Sequence, residues 1–189
     1  TIDVFQSSED IDEIIIVSQT QNVHRTWEII KKNNWSKITK VVTGGAERFD
    51  STYSALTALR GNDATCKVLF HDAVRPLVNH QIISNCLTAL QDFDAVDVVI
   101  SSADTLVEVY DDGCISNIPN RSFMRRGQTP QAFTLGTIQL AYSKALEMNR
   151  KTFTCDCGVV RAMLPQVRVA TVEGNERNIK VTHPVDLFI

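Results

Sequence analysis

The chain has 189 residues, 43% of them hydrophobic and 22% charged, which suits one well-filled globular domain and does not require two. A formal net charge of −3 argues against broad binding to nucleic acid or anionic membranes, while leaving room for a local basic pocket. No apolar run is long enough to span a bilayer, and no signal peptide with a basic start and an apolar middle opens the chain, so a cytoplasmic protein is expected.

Thr1 to Phe5 reads as the back half of an amphipathic helix, with Ile2 and Phe5 three apart. Residues 11–18 form the first clear strand, followed by a helix over 22–33, a strand over 37–43 that runs into Gly44-Gly45, and a helix over 48–59. The apolar run to Phe70 is a third strand, 82–90 a third helix and 95–101 a fourth strand. This alternation with short connections predicts βαβ units, a largely parallel sheet and right-handed crossovers. The rhythm then breaks. Residues 105–110 and 114–118 flank Asp111-Asp112-Gly113, a hairpin signal, and a hairpin inserted in a parallel fold leaves edges that need a partner. Helices over 135–148 and 158–164, a strand over 166–172, a turn at Glu173-Gly174-Asn175 and a last short strand over 178–182 complete the pattern. Residues 185–189 look like the start of another helix.

The five cysteines are scattered apart from Cys155-Asp156-Cys157, an odd count that suits reduced thiols, and zinc lacks a second ligand pair at the right spacing. The four histidines show no pairing with Ser or Cys that would support acyl transfer. No G-x-G-x-x-G follows a strand, which disfavours a dinucleotide oxidoreductase.

The segment His71-Asp72-Ala73-Val74-Arg75-Pro76 is the most informative. It ends a buried strand on a carboxylate and a guanidinium, at the sheet end where open α/β folds bind ligands. Asp72 and Arg75 either close the loop as an ion pair or face a metal and a phosphate. Gly44-Gly45 before a helix allows a close backbone approach by a base or phosphate, or simply a tight turn, with Ser51 one turn on. Arg121, Arg125 and Arg126 form an anion site or a solvated surface. Lys180 reaches a phosphate or a carboxylate, and Asp156 is a ligand contact or a helix N-cap.

Read together, Gly44-Gly45-Ala46-Glu47-Arg48-Phe49-Asp50-Ser51, the 71–76 segment, Gly127-Gln128-Thr129-Pro130-Gln131-Ala132-Phe133 and Asn178-Ile179-Lys180-Val181-Thr182-His183-Pro184 resemble, in order and spacing, the cytidylyltransferases of small sugar-alcohol phosphates. That group includes the methylerythritol-phosphate and ribitol-5-phosphate enzymes, and the resemblance covers nearly the whole chain. It implies an α/β, Rossmann-like, mostly parallel sheet of the nucleotide-diphospho-sugar transferase type, with a projecting β-hairpin arm over about residues 104–128 that exchanges across a homodimer. It further implies transfer of CMP from CTP to a polyol phosphate with Mg2+. Gly45 and Ser51 would contact cytosine and ribose, and Asp72 the metal and α-phosphate. Arg75, Thr105 and Arg121 would bind the polyol phosphate, and Thr129 and Lys180 would lie beside the phosphates. Asp156 would contact substrate, and Asp72 and Lys180 would carry catalysis.

Two departures from the family pattern stand out. The glycine-rich triphosphate loop with its Arg and Lys is expected to lie before Thr1. Cys155 stands where many relatives have Thr, which removes or weakens a hydroxyl contact. Ile118-Pro119-Asn120-Arg121, Gly127 and the Cys-Asp-Cys segment resemble the ribitol-phosphate enzymes of capsule and teichoic-acid synthesis more than the isoprenoid ones. A reductase domain beyond Ile189, as some relatives have, and a non-catalytic nucleotide-binding role remain open readings.

Overall fold

A computed structural model describes residues 1–188, and Ile189, the last residue of the expected terminal helix, lies outside them. The strands Ile14–Ser18 (β1) and Ile38–Thr43 (β2) pair in parallel through the helix Val23–Asn33 (α2). That helix stops at Asn34, which adopts φ 55° and donates its amide to the Ile30 and Lys31 carbonyls, a left-handed cap that Asn tolerates. The helix Arg48–Ala58 (α3) follows β2.

The second sheet holds four strands, Lys67–Phe70 (β3), Ala95–Ser101 (β4), Arg125–Thr134 (β7) and Val169–Glu173 (β8), in the order β3-β7-β4-β8. Between β4 and β7 the chain forms a hairpin of Glu108–Val109 (β5) and Ile115–Asn117 (β6), shorter than expected, with Gly113 at φ 84° in its turn. His80–Ala89 (α4), Leu135–Glu147 (α5) and Asp156–Met163 (α6) complete the regular elements, with Ile2–Ser7 (α1) at the start. Asn79 caps α4 by accepting the Ile82 amide at 3.0 Å, which starts that helix two residues before the expected position.

Side chains alternate across the sheet, as a two-residue period requires. Ala95 and Phe133 face a core built with Phe49 of α3, Ile138 and Tyr142 of α5, and Val159 and Val160 of α6. Val96, Val98 and Ala132 face the other way, onto Ile82 and Cys86 of α4, with Val4 and Phe5 of α1 beside them. At about 25 cal/mol per Å² of apolar surface, these two layers supply the main drive to fold.

Two expectations are corrected. The sequence pattern gives residues 129–134 no element and places 125–128 in the expected arm, yet Arg125–Thr134 is a ten-residue strand, β7, antiparallel to both β3 and β4. Pro130 disguises it, because proline belongs at edges or bulges. The register resolves this. Phe70, the last residue of β3, pairs with Gln131, and β4 pairs Asp97 with Gln131 and then Val99 with Gly127. Gln128, Thr129 and Pro130 therefore occupy a bulge opposite Val98, where no ladder donor is lost and where Thr129 can be turned toward the end of β3. The expected strand over 178–182 is instead an extended segment outside the sheets, tied by the Val181 amide to the Val74 carbonyl at 2.8 Å. No helix among the described residues is long and apolar enough to cross a membrane.

Candidate active site

β3 delivers His71 and Asp72 to the end of the four-stranded sheet, where the chain turns over residues 72–75 and the Arg75 amide donates to the Asp72 carbonyl at 2.9 Å. Lys180 Nζ reaches back from the extended segment to within 3.2 Å of Asp72 Oδ2, and Arg75 Nε lies 3.5 Å from the same oxygen. The Lys180 side chain is 48% exposed and that of Arg75 only 11%. Arg75 spends its other donors on protein carbonyls, Asn178 at 2.7 Å and Gly127 at 3.5 Å. It therefore braces the turn against β7 and the 178 segment while placing positive charge beside Asp72. Lys180 is the cation open to solvent.

Asn178 is fully buried and donates to the carbonyl of Thr129 at 2.9 Å and to Gln128 Oε1 at 3.3 Å. Gln128 in turn donates to the Asn175 carbonyl at 2.9 Å. A Cβ at Gly174 would come within 2.4 Å of Gln128 Oε1 and 2.9 Å of Val98 Cγ1, so glycine lets the end of β8 lie close against β4 and the Gln128 side chain. The polar chain from Gln128 through Asn178 thus sets the height of Lys180 above Asp72. Sequence reading named Lys180 and Asp72 but passed over Gln128 and Asn178; their one signal was their place inside the second pair of shared motifs.

A second polar cluster lies at the start of α3. Arg48 Nη2 is 2.6 Å from Oδ2 of Asp156, which has no exposed surface, and the Tyr142 hydroxyl donates to Oδ1 at 2.6 Å. Burial alone would lower the Arg48 pKa, but the charge and hydrogen bond of Asp156, joined by the charge of Asp72, hold it above its ordinary value. Burial, with Asp156 beside it, pushes the Tyr142 phenol up and keeps its proton in place. Gln131 Oε1 accepts the Asp156 amide at 2.9 Å, and Gln131 donates to Asp97 at 2.8 Å, where burial raises the carboxyl pKa.

The N-cap of α6 is Cys155, whose Sγ accepts the Gly158 amide at 3.3 Å. The N-cap alternative for Asp156 is thereby replaced by a buried ion pair. Sequence alone could not pair Arg48 with Asp156, 108 residues apart.

Gly45 is exposed in the loop before α3, and a Cβ there would lie 2.2 Å from Asp50 Cβ. The loop's tightness is thus built on glycine. At Gly44 a Cβ would come within 2.8 Å of Ser51 Oγ, so Ser51 faces this same loop. Thr105 and Arg121 are exposed on the 103–127 hairpin region, where Arg121 donates to the Ala103 carbonyl at 2.9 Å. Among the described residues, neither makes a hydrogen bond or ion pair with the Asp72 cluster. The structure therefore brings Asp72, Arg75, Thr129 and Lys180 together, groups Arg48 with Asp156, places Gly45 and Ser51 in one loop, and carries Thr105 and Arg121 outward.

No three His, Cys, Asp or Glu side chains among the described residues form a ready metal cage. Asp72 Oδ1 has no protein hydrogen-bond partner among those residues. One free carboxylate oxygen suits Mg2+, which commonly takes one or two carboxylates and completes its shell with substrate phosphates and water.

The whole chain, residues 1–189, matches the family profile of IspD: 2-C-methyl-D-erythritol 4-phosphate cytidylyltransferase. It is 47% identical over 190 residues to a bifunctional ribulose 5-phosphate reductase/CDP-ribitol pyrophosphorylase of Haemophilus influenzae, spanning 100% of this chain but only 40% of that protein. It is 40% identical over 187 residues to a 2-C-methyl-D-erythritol 4-phosphate cytidylyltransferase of Thermobifida fusca, covering 97% of this chain and 75% of that one. The solved 4-diphosphocytidyl-2C-methyl-D-erythritol synthase of Anaerococcus prevotii superposes with a TM-score of 0.90 at 31% identity, over 100% of this chain and 81% of its own. The chain belongs to the IspD family of cytidylyltransferases.

Proposed function

We propose that this protein transfers CMP from CTP to D-ribitol 5-phosphate, forming CDP-ribitol and pyrophosphate. The observation that carries the chemistry is Lys180, exposed and 3.2 Å from Asp72 at the end of β3. A phosphate oxygen of the polyol attacks the α-phosphorus, the bond from that phosphorus to the bridging oxygen breaks, and pyrophosphate leaves. The nucleophile is already ionised at neutral pH, so no general base is needed. The protein's task is to position two anions and neutralise their charge. Lys180 meets the phosphates, and Arg75 adds positive potential from below. Mg2+, held by Asp72 and the substrate phosphates, would supply further charge neutralisation.

Gly45 and Ser51 bind the cytosine and ribose end, while the Arg48–Asp156 pair holds that loop against α6. Thr105 and Arg121 reach the polyol phosphate from the hairpin of a second copy, which makes the enzyme a homodimer. The setting is cytoplasmic synthesis of a capsule or teichoic-acid type polymer.

Support for ribitol phosphate comes from the 47% identity to the Haemophilus CDP-ribitol pyrophosphorylase. The second reading is 2-C-methyl-D-erythritol 4-phosphate as acceptor, favoured by the family profile and by the 40% identical Thermobifida enzyme. Full-length protein with CTP, Mg2+ and D-ribitol 5-phosphate, followed by 31P NMR, should yield CDP-ribitol and pyrophosphate in equal amounts. No turnover with either polyol phosphate would reduce the protein to a nucleotide-binding relative.

A further inference from the structure

The 72–75 turn is closed by His71, a side chain for which nucleotidyl transfer has no direct use. Its Nε2 lies 3.1 Å from the carbonyl oxygen of Arg75, at the end of the turn. Its Nδ1 lies 3.0 Å from Thr129 Oγ1, and that hydroxyl oxygen also receives the Asp72 amide, at the start of the turn, at 3.0 Å. The imidazole thus spans the turn, directly at one end and through Thr129 at the other. The Phe5 ring, 5.1 Å away between centroids and tilted by 52°, packs on it and limits its rotation.

The hydrogen positions follow from the partners. A carbonyl oxygen only accepts, so Nε2 carries the hydrogen, and in a neutral imidazole Nδ1 is then the acceptor. The Asp72 amide already donates to Thr129 Oγ1, and among the described residues Nδ1 is the acceptor within reach of that hydroxyl's own hydrogen. The Thr129 hydroxyl therefore donates to Nδ1, and its oxygen accepts from the Asp72 amide. Thr129 is itself only 5% exposed, so the hydroxyl has little access to anything outside the protein.

We propose that His71, as its Nε2–H tautomer, is the positioning residue of this site: its Nδ1 accepts the hydrogen bond of the Thr129 hydroxyl and fixes Thr129 as the acceptor that holds the Asp72 amide, rather than as a donor to a substrate phosphate. What the positioning serves rests on the nucleotidyl-transfer reading; the bond pattern does not. Asp72 is then held through its own backbone, and its carboxylate stays available to Lys180 and to a metal.

Three measurements on the full chain test this. Long-range 1H–15N correlation of labelled histidine, with His71 assigned by its loss in His71→Gln, should show a protonated Nε2 and a bare Nδ1; a protonated Nδ1 overturns the proposal. Hydrogen exchange at the Asp72 amide should quicken roughly tenfold in Thr129→Val, the loss of about one hydrogen bond, and stay slow in Thr129→Ser; unchanged exchange in Thr129→Val overturns it. In turnover, His71→Leu should lower kcat by about 10- to 100-fold with KM for CTP within about threefold. His71→Asn, whose amide oxygen can accept the Thr129 hydrogen bond, should recover most of that loss. Equal losses in the two variants, or a change confined to KM, count against positioning. If wild-type protein makes no pyrophosphate, the catalytic reading falls, while the tautomer and the exchange rates still decide this one.

Discussion

Lys180 Nζ and Asp72 Oδ2 lie 3.2 Å apart although 108 residues separate them, because a buried Asn178 anchors the extended C-terminal segment to Thr129 on β7. The lysine is nearly half exposed, so its ion pair contributes little to folding. Lys180→Ala should lower kcat by about 10²-fold or more while changing stability by less than about 1 kcal/mol. Turnover and urea unfolding of the same preparation check both halves. A variant with near-native turnover would remove Lys180 from the mechanism.

Arg48 and Asp156 should behave in the opposite way. Asp156 is fully buried, and Arg48→Ala leaves its carboxylate with only the Tyr142 hydroxyl and no cation. Removing one partner of a buried pair costs about 3–5 kcal/mol, and the part-exposed Arg48 brings the expected loss to about 2–3 kcal/mol. Denaturant melts of Arg48→Ala and Arg48→Met measure it. A loss below about 0.5 kcal/mol would show that the pair is solvated.

Acid should destabilise the metal-free protein through His71. Burial lowers its folded-state pKa from 6.5 to about 4, so between those values the unfolded chain binds the proton and the folded chain does not. Stability is therefore full above pH 6.5, falls as the pH drops toward 4 and levels off below it, a loss of about 3 kcal/mol from this group. Asp97, whose carboxyl burial raises, takes up its proton in the folded state first and opposes part of that loss. Thermal melts from pH 7 to 4 should show a shallower decline in His71→Gln than in wild type. Parallel curves would rule out His71 as the source.

Cys155 caps α6 through sulfur, a poor acceptor at 3.3 Å from the Gly158 amide. Cys155→Thr or Cys155→Ser should raise stability by about 0.5–1 kcal/mol by offering oxygen in the same place, whereas Cys155→Ala should not. Melting temperatures of the three variants decide the matter.

The helices and the parallel β-strands were legible because each carries its own apolar period, as in residues 14–18 and 95–101. β7 was hidden because its evidence is not local. Pro130 reads as a breaker, and only the register with β3 and β4 shows that it stands in a bulge. Asp72 and Lys180 could be named from their motifs, since each sits where a strand or extended segment meets the sheet end. Their second layer could not. Gln128, Asn178 and Arg48 act through contacts with residues roughly 50 to 100 positions away, which no spacing rule reports. Cys155 displaced Asp156 from the expected cap for the same reason: a carboxylate already bound by Arg48 and Tyr142 is not free to turn back on its own helix.

The most direct test of the whole account is the rate of pyrophosphate release by full-length protein given CTP and Mg2+ with each polyol phosphate in turn. Ribitol 5-phosphate should give a kcat/KM at least about tenfold above that for 2-C-methyl-D-erythritol 4-phosphate, roughly the 1.4 kcal/mol that a few altered contacts can supply. A higher value with 2-C-methyl-D-erythritol 4-phosphate would contradict it.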